Sequence, residues 1–390
     1  MFLKHTLFSL LLMVANGLGV ELRAQAPETR PGFEVHEWGT FTSMQGSDGL
    51  ALEGLQHEEE RLPGFVYSRT EVRDCPLREF GYKGLEVPVE RVTQKMETPV
   101  IYFYANEPLD VRVRVDFVGG LISQWYPVVD RLGPPELVAD QGPLDLRTIE
   151  RSFLEWDLGI LPFDAETGRA PVMPPGVNHD DPWRFARETK AAGVRTKPRT
   201  EPRMGPNGEE ENFLFYRGLG TFELPLHAAT TDDRLMLRNT GDLDLPVAFA
   251  LEMDKKRARF RPLGRVAGHS ESSLGLEDQP WQFDEVVVEE LSKALLARLV
   301  DQGLFLDEAQ AMLKTWSRSW LRSLGTRVIY ILPRPTVDAL LPLQIEPRPE
   351  TLVRVLVGRL EIVTRAMERR LEADLRAADY LVRTAVRGRF

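Results

Sequence analysis

The chain is predicted to be an α+β protein: a β-rich N-terminal part, an immunoglobulin-like β-sandwich, then an α+β C-terminal domain. Three observations predict this. Val111, Val113, Val115 and Phe117 alternate with Arg112, Arg114 and Asp116, as a strand does when one face meets a core and the other meets water. The string RLMLRNTGDLDLPVAFAL sets two alternating runs about an Asn-x-Gly turn, a local pattern of immunoglobulin-like sandwiches. After Pro280 the spacing changes, and Val287, Leu291, Leu295 and Leu299 recur every fourth residue, which is a helical stripe.

The elements follow in order. Lys4 and His5 precede the apolar run Leu7 to Val20, and Ala24-Gln25-Ala26 has the small-x-small form that an exporting peptidase cuts after. Residues 1–26 are therefore expected to be a signal peptide, and the protein to be exported, periplasmic or extracellular. The run has 14 residues and includes Asn16, short of the ~20 needed to span a bilayer. An uncleaved anchor is the alternative.

Residues 33–163 are expected to form a β-rich domain. Val100-Ile101-Tyr102-Phe103-Tyr104 is apolar on both faces, as a central strand covered on both sides would be. Gly119-Gly120 between two strand-like runs suggests a hairpin. Residues 164–211 hold seven prolines and are read as a long connection, with Asp181-Pro182 opening a short helix through Ala191. Residues 212–278 are assigned to the sandwich and end in a basic strand, Ala258 to Val266, expected at a solvated edge.

Residues 280–390 are assigned to the C-terminal domain. Gly303 stands where its first helix ends, and Asp307 with Gln310 suggests a capping box for the next. Arg327 to Leu332 and Leu352 to Val357 are strands. A long helix from about Thr364 carries Met367, Leu371, Leu375, Ala378, Val382 and Ala385 on one face. It is expected to pack on the domain, with membrane-surface binding as the alternative.

Composition narrows the function. The chain has 390 residues, a net charge of −10 and 43% hydrophobic residues, enough for sizeable cores in two or three domains. Acidity and export together argue against nucleic acid, although the two helices around Gly303 have helix-turn-helix spacing. No apolar run after the leader reaches spanning length, so no transmembrane segment is expected in the mature chain. Cys75 is the one cysteine, so no intrachain disulfide can form.

Candidate chemistry is sparse. HExxH, P-loop and paired CxxC patterns are missing from the sequence. Gly268-His269-Ser270-Glu271-Ser272 lacks the last glycine of a nucleophile elbow and reads as a turn leaving a strand. Histidines beside carboxylates are more suggestive: His36-Glu37, His57 before Glu58, and His179 before Asp180. Imidazole with carboxylates can hold a divalent metal. The candidate set is His36 and His179 as metal ligands, with Glu37 and Asp180 as catalytic carboxylates. Within a strand, however, His36 and Glu37 point to opposite faces. Trp38, Trp125, Trp156 and Trp183 could stack on sugar rings if exposed.

The phrases VHEWGTFTS, KMETPVIYFY, ENFLFYRGLG, KTWSRSW and VRVLVGRLEIVT run from residue 35 to residue 364. As a set they resemble a family of uncharacterised exported bacterial proteins. The resemblance implies placement outside the cytoplasm and a common fold, and transfers no catalytic residue. The expected function is a soluble exported binding or structural module, with cell-envelope components or carbohydrate as partners. The rival is a metal-assisted or carboxylate-dependent hydrolase of cell-envelope or polysaccharide substrates. Whether the chain is an enzyme is left open by its sequence.

Overall fold

A computed structural model describes residues 29–55, 62–69, 89–134, 143–163, 181–198, 208–231, 234–275 and 277–387, with side chains from 32 to 378. The leader, His57 and its acidic run, Cys75, His179 and Asp180 lie outside the described residues.

The chain is α+β, built on a ten-stranded sheet. Its strands run in the order Gln282–Phe283, Arg257–Val266, Leu245–Asp254, Gly325–Ile331, Arg348–Ile362, Thr29–Gln45, Gln94–Ala105, Leu214–Gly220, Gly120–Tyr126 and Tyr67–Ser68. One pairing, Thr29–Gln45 with Arg348–Ile362, is parallel; the rest are antiparallel. This sheet thus takes strands from both ends of the chain and from its middle.

Each face of the sheet meets a different layer. One face packs on a smaller sheet that includes Leu109–Val118, Arg151–Leu161, Gly193–Thr196 and Leu343–Glu346, and on the three strands Leu226–Thr231, Arg234–Asn239 and Ser270–Gly275. The other face is covered by helices α1 (Asp284–Asp301) and α2 (Leu306–Leu321). Strand Gln94–Ala105 shows why its middle is apolar throughout. Ile101 and Phe103 enter the sheet-on-sheet core, while Val100 and Tyr102 enter the core beneath the helices.

The alternating run Val111, Val113, Val115 and Phe117 is fully buried, each side chain contributing ~1.5–3 kcal/mol. Gly119 does not make the expected hairpin. Strand Leu109–Val118 pairs with Arg151–Leu161, whereas Gly120–Tyr126 pairs with Leu214–Gly220 in the large sheet. Gly119, at φ +66°, turns the chain from one layer to the other, a conformation glycine adopts without a side-chain clash. The Asn239–Gly241 turn behaves alike, leading from Arg234–Asn239 in the three-stranded sheet to Leu245–Asp254 in the large one.

In the helical layer, Val287, Leu291, Leu295 and Leu299 are fully buried, and Gly303 follows α1 at φ +105°. The box at the start of α2 is not the expected one. Glu308, not Gln310, reaches back to the Phe305 N–H at 2.7 Å. Arg327 closes the other end, donating to the carbonyls of Trp320 and Ser323 at 2.8 Å each. Two more helices follow in sequence, the short α3 (Arg334–Leu340) and the long α4 (Arg365–Arg387). The expected helix after Asp181 is a single 3-10 segment, Pro182–Arg187. The basic strand Arg257–Val266 lies one place in from the sheet edge, its arginines paired with Asp254, Glu252, Asp278 and Asp244. No helix among the described residues is long and apolar enough to cross a membrane.

Candidate functional site

His36 and Glu37 are successive residues of one strand, so their side chains leave it on opposite faces. His36 points under α2, where Glu308 is fully buried. Its carboxylate accepts from the Phe305 N–H and from the Tyr104 hydroxyl at 2.8 Å, and lies 2.8 Å from His36 Nδ1. The imidazole also packs 4.5 Å from the Phe305 ring. Burial first, and then the Glu308 charge, push the Tyr102 and Tyr104 phenols well above their ordinary range. Both therefore stay neutral, and Tyr104 serves as a hydrogen-bond donor.

Glu37 enters a separate network. It stands opposite Arg354 in the parallel ladder and accepts from Arg354 Nε and from the Tyr216 hydroxyl, both at 2.5 Å. Arg354 Nη1 donates to Asp338 of α3 at 2.8 Å, while Nη2 is buried without a partner. Burial opposes the Arg354 charge, but Glu37, Tyr216 and Asp338 together outweigh it and raise the guanidinium pKa. Burial, with Glu37 next, also raises the Tyr216 phenol. The two networks do not share a ligand or a reacting space. Among the described residues no group of three His, Cys, Asp or Glu side chains is placed to hold a metal ion.

The four tryptophans of the β-rich half are buried, Trp38 and Trp156 fully, so none offers an exposed platform for sugar stacking. Trp38 and Trp183 instead line an aromatic pocket that sequence reasoning did not find. It opens where the sheet, the 3-10 segment and α2 meet the stretch Leu62–Val66. Tyr126, Phe213 and Phe215 supply further walls, and Ala186 leaves the room. The cavity measures about 40 Å³. A water needs ~10–15 Å³ and a cavity of ~150 Å³ holds benzene, so this space suits roughly two to four heavy atoms.

Polar chemistry in the wall is specific. Arg187 is buried but satisfied: Nε donates to Glu211 at 3.1 Å, Nη2 donates to the same carboxylate, and Nη1 to the Trp183 carbonyl at 3.0 Å. Burial raises the Glu211 pKa even so, with Arg187 opposing. Thr98 is not satisfied. Its hydroxyl is buried with no hydrogen-bond partner among the described residues, and its φ is +43°. That conformation is a steric outlier for a β-branched residue, and Pro99 behind it restricts the backbone further. The Trp38 N–H is buried beside the Tyr102 phenol.

A close backbone crossing holds Thr98 in place. Ladder pairing slips between Trp38 and Thr40 where it meets strand Gln94–Ala105. A Cβ on Gly39 would lie 2.8 Å from Pro99 Cα, so glycine is what lets the two backbones approach. The one sequence clue was glycine interrupting a strand pattern in HEWGT.

No family model matches the chain, and no curated protein does. Among solved structures, it is similar to the yeast delta-COP-I mu-homology domain complexed with a Dsl1 WxWxV peptide. That alignment has 9% identity, covers 86% of this chain and 98% of the other, and has a TM-score of 0.27. The yeast delta-COP-I mu-homology domain alone aligns at 7% identity over 87% and 100% of the two chains, with a TM-score of 0.28. Alignments this loose carry no inference about fold or function.

Proposed function

We propose that this is an exported binding module whose aromatic pocket receives a small, neutral, mostly apolar group bearing one oxygen acceptor. Thr98 carries the reading. A strained backbone and an unsatisfied buried hydroxyl are each costly, the first ~1–3 kcal/mol and the second of similar size. Both occur on one residue, in the wall of a cavity lined mostly by rings and alkyl carbon. An acceptor oxygen on the ligand would complete Thr98 while its carbon fills the aromatic walls. The cavity is small, so a larger cell-envelope component would insert a terminal group and leave its remainder outside.

Export rests on the leader at residues 1–26. The immunoglobulin-like reading of 212–278 gains support from the Asn239–Gly241 turn, which carries consecutive strands into facing sheets. A hydrolytic reading that joins His36 to Glu37 has two separate networks to overcome.

Ligand-observed NMR with acetone and isopropanol tests the pocket, because both match its size and carry an oxygen acceptor. Saturation transfer to both probes is expected from the wild type and is lost in Ala186→Leu, which fills the cavity. Equal transfer from the two proteins, or none from either, rejects the pocket as a binding site. N-terminal sequencing tests export, with Pro27 expected first on periplasmic protein.

A further inference from the structure

Helix α4 continues from strand Arg348–Ile362 and is rooted by one residue. Glu368 accepts from the Ser47 amide at 2.8 Å and from its hydroxyl at 2.6 Å. Beyond that root every residue from 369 to 378 is exposed. Among the described residues the apolar stripe expected to pack on the domain has no cover: Met367 is 39% exposed, Leu371 54% and Leu375 70%. With 23 residues the helix is ~35 Å long. A helix whose stability in water comes mainly from burying one face calls for a cover on that stripe.

We propose that α4 lies on an anionic lipid bilayer, with Met367, Leu371 and Leu375 entering the acyl boundary. Charge favours this occupant. Residues 365–387 carry six arginines against four acids, a net of +2 on a chain whose total is −10. At ~100° per residue, Arg365, Arg369 and Arg376 fall within an arc of ~40° on the polar side. A strong apolar stripe beneath a basic polar face, on a helix too polar to span, is the pattern of an interfacial helix. The remaining surface is acidic, so an anionic membrane repels the body and attracts this helix.

Pairing with a second copy is less suited. Glu372 borders the stripe on one side and Asp374 on the other by helical register. Two stripes face to face would bring those acids together. On a bilayer, Glu372 keeps its own partner, Arg376 at 3.2 Å. This inference does not rest on the pocket.

The test places an environment-sensitive fluorophore at Ala378→Cys, in a Cys75→Ser background of the full chain, so that the helix reports for itself whatever residues 1–26 do. Vesicles of phosphatidylcholine with phosphatidylglycerol are expected to shift its emission to the blue. Vesicles of phosphatidylcholine alone should do so weakly, and added salt should reverse the effect. Leu371→Glu with Leu375→Glu is expected to weaken the response ~100-fold or more, since each leucine contributes over a factor of ten when buried. No shift with phosphatidylglycerol, or an equal shift in the double variant, overturns the proposal. So does a lipid-free shift that grows with protein concentration, which would give the stripe to a second copy.

Discussion

Glu37→Gln isolates the charge pair at the centre of the molecule. The substitution keeps the size of the side chain and leaves an oxygen for the Tyr216 hydroxyl, but removes the carboxylate facing Arg354. Arg354 then remains buried with one Nη2 already unpartnered and Asp338, itself 46% exposed, as its acid. Breaking a fully buried pair costs ~3–5 kcal/mol. Asp338 offsets part of that, which leaves ~2–4 kcal/mol against a total stability of ~5–15 kcal/mol. With a urea m-value near ~3 kcal/mol/M, the midpoint read by tryptophan fluorescence should fall by ~1 M. Glu37→Leu with Arg354→Met removes both charges and should return to within ~1–2 kcal/mol of wild type. An unmoved midpoint in Glu37→Gln, or a double variant as unstable as the single, would refute this account of Glu37 as an ion-pair partner.

Other expectations follow from the same geometry. Glu308→Ala strands the Phe305 N–H, His36 and Tyr104 at once and should lower stability by ~2–4 kcal/mol, read by urea unfolding. Gly39→Ala should cost ~2 kcal/mol or more by the same assay, because its methyl group meets the Pro99 backbone. Hydrogen bonds from Ser47 lower the Glu368 pKa from its ordinary value of 4.5. The stabilisation is therefore complete above that value and is lost as pH falls through the lowered one. The Ser47 amide should lose protection from hydrogen exchange over that acid range, and Glu368→Gln should abolish the pH dependence.

Much of the fold was legible where it depends on local period. The alternation from Val111 to Phe117 gave a strand and its buried face, and the fourfold spacing from Val287 to Leu299 gave α1. Partnering was not legible. Gly119-Gly120 has the composition of a hairpin, but the strands on either side find their neighbours over thirty and ninety residues away. Strand pairing is settled by packing across the whole chain. The divergence of His36 and Glu37 followed from strand geometry alone, whereas their partners, Glu308 and Arg354, lie more than 270 residues along. For α4 the apolar stripe was plain, and its exposure among the described residues was not. Thr98 gave no warning, because a positive φ at threonine is imposed by the crossing at Pro99.

Thr98→Val most directly tests whether the pocket is built for a ligand. Valine keeps the shape and the strained backbone and removes the unsatisfied hydroxyl, so the unliganded protein should gain ~1 kcal/mol while acetone binding weakens. A variant that loses stability and binds acetone as wild type does would contradict the assignment.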